Sequence, residues 1–187
     1  MKIGRTLDVT NRGSWRTWLQ KNYRKEKEVW LVYFRKETGK PRIPYNDAVE
    51  EALCFGWIDS TGKKMDKDRI AQRFSPRRPG SAYSQTNKER LARMIAAGKV
   101  AADIMAGLDD IDPEKFVFPA DIMKALRANR RAHDNFKKFS APYRRIRIAY
   151  IDHARPQPTE FNKRLANFLK LTAQGKQFGF GIESFFD

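Results

Sequence analysis

With 187 residues the chain is long enough for one large domain or two small ones, and its 41% hydrophobic and 12% aromatic content excludes a disordered tail protein. The lone cysteine, Cys54, excludes an intrachain disulfide framework, and no stretch approaches the roughly 20 apolar residues of a transmembrane segment. Its 38 Lys and Arg against 22 Asp and Glu, a net charge of +16, favour encounters with polyanions without specifying one. Lys2, Arg5 and Asp8 interrupt the apolar run a signal peptide needs, so the expected location is cytoplasmic.

In chain order, Ser14 is the expected cap of a helix carrying Trp15, Trp18 and Leu19 as one apolar stripe. Residues 29–34 (VWLVYF) read as a strand covered on both faces. After a loop set by Gly39, Pro41 and Pro44, Asn46 is the expected cap of a second helix. Asp47, Glu50 and Glu51 lie at or near its N-terminal turn, where the helix dipole favours them, and Gly56 is its stop. Residues 69–75 alternate as a further strand ended by Pro76 and Pro79, and a helix follows over 86–97 with Gly98 as its cap. From Ile122 the pattern is helical, with stripes at Ile122, Met123 and Leu126, at Phe136 and Phe139, at Tyr143, Ile146, Tyr150 and Ile151, and at Phe161, Leu165 and Phe168. The tail carries Phe178, Phe180, Phe185 and Phe186, too apolar to be left in water without consequence.

These elements predict an α+β fold: a small sheet with packed helices in the N-terminal part, and an all-helical C-terminal part of three or four short helices. The expected division is an α+β domain over 1–106, a connector over 107–118, and a basic helical domain with an aromatic tail over 119–187. Residues 122 to 176 hold 14 basic and 3 acidic side chains, so the helical part carries much of the charge.

Three stretches carry a resemblance: residues 29–60, with ALCFGWID; residues 73–100, with Pro-Arg-Arg and Ser-x-x-Asn; and the helical region from about 122 to 176. Together they resemble the YdeI/OmpD-associated, bacteriocin-protection family, which implies a stress or antimicrobial-peptide-protection role and no established reaction. Tyr83 stands where that family is expected to carry a tryptophan, exchanging an indole donor for a hydroxyl, and Glu160 follows Thr159 where an arginine is expected.

The candidate ligand site joins Trp57, Asp59, Arg77, Arg78, Ser81, Tyr83, Ser84 and Asn87. Arginine forks suit carboxylate or phosphate and the rings suit stacking, so the expected guest is a small anionic ligand, with a protein partner as the alternative. The same residues admit a structural account, with Asp59 paired to Arg77 or Arg78 and Ser84 or Asn87 capping the next helix. A second candidate, for nucleic acid held by non-specific charge, is the basic set Arg127, Arg130, Arg131, Arg144, Arg145, Arg147 and Arg155. His133 and His153 read as surface or capping residues, no metal-ligand spacing or cofactor signature is present, and no nucleophile stands beside Asp59 and Tyr83, so no catalytic residue is assigned and the third reading, an enzyme of unrecognised type on a small polar substrate, lacks a named reaction.

Overall fold

The computed structural model describes residues 2–186. The chain divides into two compact units, Met1–Ala82 with Arg90–Ile111, and Tyr83–Glu89 with Asp112–Asp187.

The first unit is built on a four-stranded sheet in the order β1-β2-β4-β3. β2 (Val29–Phe34) matches its sequence pattern end to end, and its buried residues confirm cover on both faces. It pairs in parallel with the two-residue β1 (Thr6–Leu7) and antiparallel with β4 (Arg69–Pro76), which in turn pairs antiparallel with β3 (Trp57–Lys64). The sequence pattern located β2 and β4; β1 and β3 it did not. β3 reads WIDSTGKK, polar and containing a glycine, and it carries a register shift between Asp59 and Gly62, so neither alternation nor propensity marks it.

Residues paired across strands share a sheet face, so the pairs Tyr33–Ile70, Leu31–Gln72 and Asp59–Phe74 put Tyr33, Gln72, Phe74, Asp59 and Trp57 on one side. Helices cover that side. α1 (Arg12–Asn22) buries Trp15 and Leu19, sets Trp15 edge-on to Phe74 at 5.4 Å and sets Trp18 edge-on to Trp57 at 5.8 Å. Its cap is Asn11, whose side-chain oxygen accepts from the Ser14 amide at 2.9 Å, so Ser14 is the capped residue rather than the cap.

α2 (Tyr45–Cys54) begins at Tyr45 after Pro44 with no side-chain cap, and the expected cap Asn46 instead accepts a hydrogen bond from Arg90 at 2.9 Å. Gly56 stops it at φ 69°. Glu50 and Glu51 of this helix are buried at 5% and 1% exposed and held by Arg93 at 2.5 Å and by Arg12 and Arg16 at 2.5 and 2.6 Å. α3 (Gln85–Ala96) ends in Gly98 at φ 64°, as its spacing predicts.

A short α4 (Ala102–Ala106) closes the first unit. Among its described residues the second holds the start of α3 and the helices α5 (Ala120–Ala128), α6 (Arg130–Lys138), α7 (Ala141–Asp152) and α8 (Pro158–Ala173), α6 and α7 being capped by Asn129 and Ser140. Ile122, Leu126, Phe136, Ile148, Ile151 and Phe168 form its core. Phe185 of the tail, 3% exposed, joins Tyr143, Ile146 and Ile182 in a second cluster, whereas Phe180 is 84% exposed. The α7 stripe departs from expectation at one position: Tyr150 is 45% exposed while Arg147 is 6% exposed.

Candidate functional site

Trp57 is a core residue. It is 1% exposed, its indole donates to the Tyr23 carbonyl at 3.0 Å, and Trp18 meets its ring, so no face remains for a guest. Two residues on, Asp59 faces the same way, and its Oδ2 accepts from the Tyr45 hydroxyl at 2.9 Å and the Gln72 amide at 3.3 Å rather than from Arg77 or Arg78. The loop after β4 closes on itself: Arg77 donates to the Ser81 carbonyl and hydroxyl and to the Ala82 carbonyl at 2.9 to 3.1 Å, and Ser81 donates to the Arg78 carbonyl at 2.7 Å. Arg78 and Ser81 are exposed.

Tyr83, Ser84 and Asn87 belong to the second unit. The Ser84 hydroxyl accepts from the Asn87 amide at 3.3 Å, a cap for α3. That helix start forms one wall of an open groove of about 430 Å³, through Tyr83, Ser84, Thr86 and Lys88. Phe116 and one face of α7, Ile146, Ala149, Tyr150 and His153 at spacings of three and four, form the other. The walls are tied together beneath: Arg145 grips Glu89 through two bonds of 2.6 and 3.0 Å, and Gln85 bridges Glu89 and the Pro113 carbonyl at 2.9 Å each. Asp152 on the rim is paired with Arg155 at 2.7 Å. Arg164 and Arg147 lie over the Tyr150 ring at 3.9 and 5.0 Å, placing positive charge beside an exposed aromatic. His153, the C-cap of α7, is exposed as its sequence context suggests.

In the first unit the structure assembles a polar cluster around Asp59 that sequence reasoning did not foresee. Arg90, 5% exposed, and Tyr33, 9% exposed, are its buried members. Burial raises the Asp59 carboxyl above its ordinary range, with the Tyr45 hydrogen bond and Arg90 charge opposing. Burial, with the Asp59 charge added, raises the Tyr33 and Tyr45 phenols well above theirs. Burial likewise lowers Arg90. The Tyr33 hydroxyl is buried without a hydrogen-bond partner. Tyr33 sits inside VWLVYF and Arg90 inside a helix of ordinary composition; the register of the folded sheet brings the first to the Asp59 face, and the placement of α3 brings the second.

The basic set separates into used and unused charge. Arg145 holds Glu89; Arg155 holds Asp121 and Asp152; Arg147 is buried, 4.0 Å over the Phe178 ring; and Arg144 lies 5.7 Å over Phe136. Arg130 is 4.0 Å from Asp134 with its side chain 96% exposed, and Arg127 and Arg131 are exposed.

Residues 7–107 match the family described as a domain of unknown function (DUF8412), and residues 115–175 match the family described as bacteriocin-protection, YdeI or OmpD-associated. The second match falls on the helical region alone, whereas the resemblance drawn from motifs also covered 29–60 and 73–100, the stretches that fall in the first match. No curated protein and no solved structure matches the chain. With the first match spanning more than half its length, the chain belongs to the family described as a domain of unknown function (DUF8412), and its helical second part matches the family described as bacteriocin-protection, YdeI or OmpD-associated.

Proposed function

We propose that the chain is a non-enzymatic cytoplasmic protein of stress or antimicrobial-peptide protection whose second unit binds a small anion carrying a flat ring. The groove of about 430 Å³ carries this reading. Tyr83, Phe116 and Tyr150 offer ring surface, while Lys88 and the hydroxyls of Ser84 and Thr86 stand at the start of α3, where the helix dipole also favours negative charge. Arg155 offsets the acid on the rim, Asp152.

Thermal unfolding with salicylate, and with uncharged benzamide as control, tests it. Salicylate raises Tm and benzamide does not; saturation at a hundredfold over Kd corresponds to about 2.7 kcal/mol. Tyr83→Ala and Lys88→Met remove the shift, and Arg127→Ser, outside the groove, keeps it. A shift of equal size in Tyr83→Ala, or none in the wild type, defeats the proposal.

A second reading, nucleic-acid binding, is favoured by Lys124, Arg127, Arg131 and Lys138 on α5 and α6, all exposed and with no acid within ion-pair reach among the described residues.

A further inference from the structure

We infer that the first unit holds a separate binding site for a neutral small molecule bearing neighbouring hydroxyls, of the sugar or polyol class, formed by Tyr33, Tyr45, Asp59, Gln72 and Arg90. The inference is independent of the groove, since none of these residues lines it.

The starting point is the Tyr33 hydroxyl, held on the helix-covered sheet face with the residue 9% exposed and the hydroxyl lacking any partner. Leaving such a group unbonded is unfavourable, so a guest that bonds it recovers a penalty already present in the folded chain. The neighbours fix the guest's chemistry. Asp59 accepts from Tyr45 and Gln72, two neutral donors, and Arg90 donates to Asn46 at 2.9 Å.

An anion entering here meets the Asp59 carboxylate, and a cation meets Arg90 together with Arg42, whose charge also acts on Tyr33. A full charge of either sign is therefore disfavoured. A hydroxyl group meets neither objection, because it gives a proton to Asp59 and accepts one from Tyr33 or Gln72 in the same contact. Two adjacent hydroxyls do so at once. Tyr45, Asp59 and Gln72 are each half-buried, whereas Tyr33 and Arg90 are buried.

The test is amide chemical-shift mapping and calorimetry on the full chain, with D-glucose and myo-inositol as neutral probes and inorganic phosphate and methylammonium as charged ones. At about 50 mM, a concentration that detects millimolar affinity, at least one neutral probe shifts the amides of Tyr33, Tyr45, Asp59 and Gln72, and the charged probes do not. Tyr33→Phe weakens that binding by about tenfold, one lost hydrogen bond, while its own Tm stays level or rises because the orphaned hydroxyl is gone. Asp59→Asn weakens it as well. Absence of any shift with both neutral probes, as expected if a water molecule alone satisfies Tyr33, overturns the inference. So does undiminished affinity in Tyr33→Phe, or a preference for phosphate or methylammonium. A salicylate response lost with Tyr83→Ala reports on the groove alone, so the two sites fail or survive separately.

Discussion

Asp59 shows how one buried acid differs from another. Glu50 and Glu51 are surrounded by guanidinium groups, with Arg12, Arg16 and Arg93 all within 2.9 Å, and their desolvation is offset by direct ion pairs. Asp59 accepts from a phenol and an amide and has no guanidinium in direct ion-pair contact among the described residues, and burial outweighs these bonds and the Arg90 charge, leaving its carboxyl above the ordinary range. A folded pKa above the unfolded one means that the folded state binds the proton more tightly. Stability is then highest below the ordinary aspartate range, falls as pH rises through the raised folded value, and carries a constant penalty above it. Asp59→Asn removes the charge and keeps an acceptor for Tyr45. In urea unfolding the variant exceeds the wild type at pH 7, and the excess shrinks as pH is lowered toward about 4. An excess that grows on acidification would show that the charged form is the better bonded one. At this scale the sequence was informative about residue type and silent about partners. It singled out Asp59, but Tyr33 and Arg90 lie 26 and 31 positions away, and no local pattern encodes that meeting.

Elements were legible where a single physical cause sets them. β2 is apolar on both faces and was placed to the residue, and the ends of α2 and α3 follow from glycines whose positive φ no other residue adopts cheaply. β3 was missed because it is a polar edge strand whose existence depends on β4 beside it. α7 was located, but periodicity assigned Tyr150 to the core when the aliphatic stem and guanidinium of Arg147 take that place against Phe178. Gly56 and Gly39 share a left-handed backbone but not their surroundings. A Cβ on Gly56 would sit 2.9 Å from Ile104 Cδ1 at φ 69°, whereas Gly39, at φ 64°, has nothing within 4 Å. Gly39→Ala therefore costs the left-handed conformation alone, on the order of 1 kcal/mol, and Gly56→Ala costs that plus the displacement of Ile104. Chemical denaturation of the two variants should show Gly56→Ala the more damaging, by roughly a few tenths of a kcal/mol because the Ile104 end can give way. Equal losses would mean that α4 yields freely and does not hold the turn from α2 into β3.

For the whole molecule the question is what +16 does once folded. Composition alone presents the basic run as one surface. The structure spends Arg145 on Glu89 and Arg155 on two aspartates, and it buries Arg147. The charge left to act at a distance in the helical part is concentrated in side chains such as Lys124, Arg127, Arg131 and Lys138, which project from α5 and α6. If nucleic acid binds, these residues are the ones that release counterions, and each phosphate they neutralise adds about −0.9 to the slope of log affinity against log salt on duplex DNA. Fluorescence anisotropy with a short duplex of arbitrary sequence should give binding that collapses between about 50 and 200 mM salt. Replacing Arg127 and Arg131 by serine together should lower the slope by about 2, whereas Arg145→Met should leave the slope unchanged and lower Tm, since its guanidinium is committed to Glu89. Salt-insensitive binding, or a slope that responds to Arg145 and ignores the other two, would show that the exposed cations are a solvated helical face.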